Sequence, residues 1–182
     1  MPSSLIFWII AAVLLFWSVG ANNRLVRLRS EAKTAFAALE TELAQQVKLV
    51  QSCLPSGETQ PASLFDGAGS FWGGLQGAAA QLAACLGAAR TRPLEPDGIA
   101  ALRAAQDVLA MAWERAERDD AHDLAGSRLP ETVVTTRAHL TAQSRAAAEQ
   151  FNLAVARHNE AIRQFPAVLL AWLFGFKPGR GL

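Results

Sequence analysis

Three histidines, two cysteines and sixteen carboxylates are the side chains of this 182-residue chain that could carry acid–base, nucleophilic or metal chemistry. A di-metal helical bundle needs inward Glu from two helices and Glu-x-x-His from two more, because two ions demand several oxygen and imidazole ligands at once. The nearest approach to that pattern is Asp119-x-x-His122; His139 has no partner at that spacing and Val155, not Glu, stands three residues before His158. Ligand count therefore argues against a metal centre. Nucleophilic catalysis fares no better, since G-x-S-x-G is absent and the series Gly67, Gly69, Gly73, Gly74, Gly77 lacks the Lys-Ser/Thr of a phosphate cradle. Cys53 and Cys85 lack CxxC spacing and read as small apolar residues of a reducing compartment, with pairing left open. No catalytic residue and no cofactor is expected.

The polar feature that does stand out is a repeat. Phe151-Asn152 and His158-Asn159 are seven residues apart, two helical turns, so both asparagines fall on one side of a helix beside its apolar stripe. Asn22 and Asn23 stand on a facing helix. One reading is a polar layer that recognises a partner. The simpler reading is that the amides and His158 hydrogen-bond between helices and fix their register.

The elements that would position these groups begin with Leu5, Ile6, Phe7, Trp8, Ile9, Ile10, Val13, Leu14, Leu15, Phe16, Trp17 and Val19, a run with one hydroxyl and no charge. Extended through Ala21, it predicts a transmembrane helix over 5–21, with Trp8 and Trp17 near the two interfaces. Ser18-Val19-Gly20 also resembles a signal-peptide cleavage site. Against cleavage stand the absence of Lys or Arg from Pro2-Ser3-Ser4, bulky Trp17 beside the site, and a helix that continues without a break. Arg24, Arg27, Arg29 and Lys33 follow the span, so the positive-inside rule places the C-terminal side in the cytoplasm and residues 1–4 on the other side.

Alanine and leucine dominate, tyrosine is absent, and β-branched residues are sparse beyond the apolar run, which predicts an all-α fold. Leu25, Leu28, Ala32, Phe36, Leu39, Leu43, Val47, Val50 and Leu54 keep a 3.6-residue period, giving a helix over about 22–54. Phe71, Leu75, Ala78, Leu82 and Cys85 give a second over 70–90. A third, capped by Asp97, runs over 97–119 with Ile99, Leu102, Gln106, Leu109, Trp113 and Ala116 on one face. Leu140, Ser144, Ala147, Phe151, Val155, His158, Ile162 and Phe165 trace a fourth over 131–165. Together, residues 22–165 are expected to form an antiparallel four-helix bundle, up-down-up-down. Glu114, Arg115, Glu117 and Arg118 suit a solvated face, and a net charge of +1 offers no field for nucleic acid.

Two segments resemble the LemA family: NNRLVRLRSEAKTAFAALETEL after the span, and QFNLAVARHNEAIRQFPAVLLAWLFGFKP near the end. The matching positions are Asn23, Leu25, Val26, Leu28 and Arg29, then Phe151, Asn152, His158, Asn159, Phe165, Pro166, Gly175 and Phe176. Phe36, Phe151 and His158 replace aromatic residues common in the family, and residues 55–145 match poorly, which makes the chain similar to a divergent member. The resemblance implies a bacterial inner-membrane protein with one N-terminal membrane helix and a helical-bundle domain, and it brings no established catalytic mechanism or cofactor.

Residues 166–182 form an apolar C-terminal segment too short to span a bilayer. In an up-down bundle it returns to the membrane, where Trp172, Phe174 and Phe176 with Lys177 and Arg180 suit an interfacial contact, or it folds over the bundle end as core. The expected function is a non-enzymatic scaffold, touching the lipid bilayer and an unidentified protein partner, with homo-oligomers left open. The alternative is a small-ligand binder or enzyme with a pocket between helices. A deep polar cluster would favour the alternative, and a large exposed apolar patch the scaffold.

Overall fold

Among the described residues helix is the conformation of every regular element: α1 Pro2–Cys53, α2 Gly67–Thr91, α3 Pro96–Ala121 and α4 Glu131–Arg163. This computed structural model describes residues 2–53, 67–121, 129–164, 175 and 177–182, with backbone only at 2–6, 10, 11, 14, 67–71 and 121. The chain is all-α throughout those residues. Leu54, Phe71, His122, Phe165, Pro166, Trp172, Phe174 and Phe176, all named above, lie outside the described side chains, as do those of Leu5, Ile6, Ile10 and Leu14.

α1 runs without interruption through Asn22 and Asn23, because nothing between Ala21 and Arg24 breaks the backbone ladder. Among the described residues no helix is long and apolar enough to cross a membrane. α3 starts one residue earlier than the spacing predicts. Pro96 is its first residue, a position where a missing N–H costs nothing, so Asp97 sits inside the first turn rather than capping it. Ahead of it, Arg92 N donates to Ala89 O and Glu95 N to Arg92 O, both at 3.1 Å, which closes a tight α2–α3 turn. α4 stops at Arg163, two residues short of expectation, with Gln164 already extended at ψ 135°. The proline at 166 has no N–H for the helix and biases the chain before it toward extended backbone.

The periodic stripes are buried. Leu25, Leu28, Ala32, Phe36, Leu39, Leu43, Val47 and Val50 of α1 face inward, and those from Ala32 onward share one core with Phe151, Ala154 and Val155 of α4 and Leu75, Ala78, Leu82 and Leu86 of α2. Phe36 and Phe151 stack edge to face with centroids 5.5 Å apart. Cys85, Gln106 and Ala147, expected on these stripes, are only half-buried, while Leu86 and Ala105, next to the first two, are inside. A small separate cluster of Leu25, Leu28, Ala161 and Ile162 joins α1 to the end of α4.

α1 packs against α4 and α2, and α2 against α3, whereas the backbones of α3 and α4 make no close approach. That seam is bridged by side chains: Arg137 of α4 forms an ion pair with Glu117 of α3 and lies 5.4 Å over the Trp113 ring. Glu117 thus leaves the solvated face assigned to it. Elsewhere that face behaves as expected, with Arg115 pairing to Asp119 at 3.9 Å.

Candidate functional site

Three features stand out, two near the end of the domain from which the first part of α1 projects and one that runs from there along α4. The first is apolar. Phe7, Trp8, Ile9, Val13, Leu15, Phe16, Trp17 and Val19 are all exposed, from 46% for Trp17 to 85% for Phe16. At 100° per residue these positions are spread around the whole circumference of the helix, so no single facing element could cover them.

The second is basic. Arg24 Nη1 donates to Gln164 Oε1 at 2.9 Å, which pins the end of α4 to the start of the domain. Arg27 pairs with Glu31 at 3.5 Å. Just beyond, Arg29 and Lys33 of α1, Arg92 of the α2–α3 turn and Lys177 line a groove of about 640 Å³ with His158 at its wall. Arg92 is partly neutralised by Glu95 at 3.5 Å.

The third is the asparagine repeat. Asn159 Nδ2 donates to Gly179 O and Gly179 N donates to Asn159 Oδ1, both at 2.8 Å. Two turns back, Asn152 Nδ2 donates to Leu182 O at 3.1 Å and Leu182 N to Asn152 Oδ1 at 2.7 Å. Each amide therefore satisfies a donor and an acceptor of one extended residue, as a neighbouring strand would. The asparagines bond the backbone of residues 177–182 rather than a facing helix, which corrects the inter-helix expectation. Asn22 and Asn23 take no part.

The approach is closest at Gly181 and tight at Gly179. A Cβ at Gly181 would fall 2.5 Å from Asn152 Oδ1, and one at Gly179 would fall 3.2 Å from Leu94 Cδ2. Leu182 packs against the core, so 177–182 lies along the domain, and exposed Lys177 and Arg180 are carried on it.

His158, 1% exposed, is the second buried polar residue of α4 beside Ser144. The backbone of Lys177 hydrogen-bonds its ring, while Nδ1 has no partner. Burial first, and the positive charge of Arg29 second, push its pKa below the ordinary 6.5, with the Lys177 backbone opposing them. The imidazole is neutral at physiological pH as a result. Ser144 is satisfied by Gln46 Nε2 at 2.8 Å; the cleft of about 290 Å³ beside them is also lined by Trp113, Arg137 and Thr141.

Cys53 and Cys85 are free, and burial raises the Cys53 thiol, which leaves it less nucleophilic. Among the described residues no group of three His, Cys, Asp or Glu could hold a metal ion. What the sequence failed to reveal was the Asn–backbone pairing and the Arg137–Glu117 bridge, since both join positions far apart in the chain.

The fold and site define an all-helical protein whose leading helix runs beyond its domain and whose last residues are pinned to α4 by two asparagines. Comparison of the chain with protein families, with curated proteins and with solved structures finds no match in any of the three.

Proposed function

We propose that this is a single-pass membrane protein whose helical domain acts as a non-enzymatic scaffold or interaction module of the LemA type, held as an antiparallel four-helix bundle at the cytoplasmic face of a bacterial inner membrane. The observation that carries the reading is the all-round apolar exposure of α1 from Phe7 to Val19. Water is a poor solvent for such a helix and hydrocarbon a good one, because every backbone group of a helix is satisfied internally. From Pro2 to Ala21 the helix is about 30 Å long at 1.5 Å per residue, which is the thickness of the hydrocarbon core.

Charge supports the orientation. Residues 22–40, 90–97 and 157–180 hold ten basic and five acidic side chains, leaving seven basic and eleven acidic for the rest of the sequence. A basic end next to a span belongs on the cytoplasmic, anionic leaflet. Gln164 and Lys177, on either side of the aromatic segment, both lie near that end, which supports a second lipid contact through Trp172, Phe174 and Phe176. The scaffold role rests on the resemblance at the two ends of the chain.

Alkaline carbonate extraction of tagged protein tests the anchor, and release into the supernatant sinks it. A reporter fused after Leu182 is expected to be active only in the cytoplasm; activity outside reverses the orientation. Crosslinking in native membranes that recovers nothing beyond the chain itself removes the scaffold role.

A further inference from the structure

The groove beside His158 has the charge and the shape for a small dianion. Arg29 and Lys33 stand one turn apart on α1, so both side chains serve the same side of that helix. Lys177 adds a third cation from the C-terminal residues, and Arg92 a fourth from the α2–α3 turn. Against them stand Asp97 and Glu95, the latter engaged by Arg92 at 3.5 Å. The lining keeps an excess of two positive charges, and Lys33 and Lys177 enter no ion pair among the described residues. Pro96 and Asp97 open α3 at the same place, which adds the positive end of a 26-residue helix.

His158 is the independent observation. It is 1% exposed, forms part of the groove wall, and leaves Nδ1 without a partner. The Lys177 backbone raises its pKa, so the ring donates through Nε2 to that carbonyl. Nδ1 is then an acceptor that lacks a donor, and a buried polar atom left so is costly. A phosphate monoester supplies the missing donor: its second pKa is about 6, so near neutral pH it can share a proton with an imidazole. Beside the cations, Pro93, Leu94 and Pro178 give the groove an apolar wall, and about 640 Å³ is room for a small organic molecule.

We propose that this groove binds a soluble phosphate monoester, with Arg29, Lys33 and Lys177 on the phosphate, His158 beside it, and the wall of Pro93, Leu94 and Pro178 against the organic group. A lipid phosphate is the other source of the same chemistry, and distance argues against it. With α1 in the membrane, Arg29 and Lys33 lie about 12 and 18 Å beyond Ala21 at the helical rise, whereas the headgroup layer is about 5–8 Å deep on each side. Only this choice of source rests on the membrane reading; the groove itself does not.

The test titrates the full-length protein in a neutral detergent with phenyl phosphate, followed by calorimetry and by the ¹⁵N signals of the histidine rings. Saturable binding is expected, with none for phenol, and the His158 Nδ1 signal should move as it gains a hydrogen bond. Lys33→Gln with Lys177→Gln changes two exposed side chains and leaves the core intact; it should weaken binding about tenfold or more through two lost charge-assisted contacts. Asp97→Asn removes an opposing charge and should tighten it. Nanodiscs decide the source. At an ionic strength that screens the bilayer charge, phenyl phosphate should bind equally well over phosphatidylglycerol and phosphatidylcholine. No saturable binding, binding indifferent to the double Gln substitution, or competition from phosphatidylglycerol overturns the proposal.

Discussion

The two parts of α1 share one continuous helix and almost nothing else. Before Ala21 the described large apolar side chains, from Phe7 to Val19, point in every direction and are exposed; after Arg24 they fall, Val26 apart, mainly on one buried stripe. Propensity does not separate them, because both are good helix. Period does: an all-round apolar surface needs an apolar solvent, whereas a stripe needs only one facing element. The comparison is broken most forcefully by charge. On the proposed membrane anchoring, Leu15→Arg with Phe16→Arg should move the protein from the carbonate-resistant membrane fraction to the supernatant, since each Arg near a span centre costs about 3 kcal/mol of insertion. Circular dichroism of the released domain should keep its thermal transition. A protein that stays in the membrane with both arginines would remove the distinction between the two parts.

Truncation sharpens the same contrast. Phe36 is 2% exposed and stacks on Phe151, while Phe16 is 85% exposed. Phe36→Ala should lower unfolding stability by about 3–5 kcal/mol through lost burial and the cavity left behind. Phe16→Ala should leave the urea transition of the domain unmoved. Equal effects at the two sites would mean that the first part of α1 is packed after all.

A smaller effect is expected where the domain closes on residues 177–182. Asn159→Asp replaces a mutual pair of bonds with one bond and a repulsive contact, a loss of about 1–3 kcal/mol. The loss is local, so amide exchange at Gly179 should quicken by about tenfold or more while amides around Phe36 keep their protection. Uniform loss of protection would show that the segment is part of the cooperative core rather than a strap upon it.

The elements were legible because each stripe states its own burial: Leu25 through Val50 fall inside as their spacing requires, and so do Ile99, Leu102, Leu109, Trp113 and Ala116, with Gln106 the half-buried exception. Helix ends were less so, since the choice between Pro96 and Asp97 at the start of α3, or Arg163 and Phe165 at the end of α4, turns on one or two backbone bonds. The site was legible only as a pattern. The seven-residue asparagine repeat could be seen, but its partner is backbone, and a carbonyl at Gly179 has no signature in a one-letter sequence. Glu117 was equally hidden. It sits among Glu114, Arg115 and Arg118 as though solvated, and only the approach of Arg137 from α4 reveals its partner.

The mildest test concerns His158, at the junction of the two regions beside Arg29. Its pKa is lowered in the folded protein, so as pH falls below about 6.5 the unfolded chain takes up a proton that the folded chain resists. Unfolding is therefore favoured by acid in the window from about pH 6.5 down to the lowered folded value, and stability recovers above it. His158→Gln cannot titrate, so over pH 7.5 to 5.5 its stability should fall less steeply than that of the natural protein when urea midpoints are compared. Arg29→Gln separates the causes. Burial is the larger and Arg29 the smaller, so removing the arginine should flatten the slope in part and leave most of it. A slope abolished by Arg29→Gln would make charge the dominant cause; a slope equal in the natural protein and His158→Gln would mean that the imidazole is not held neutral where α1 meets α4.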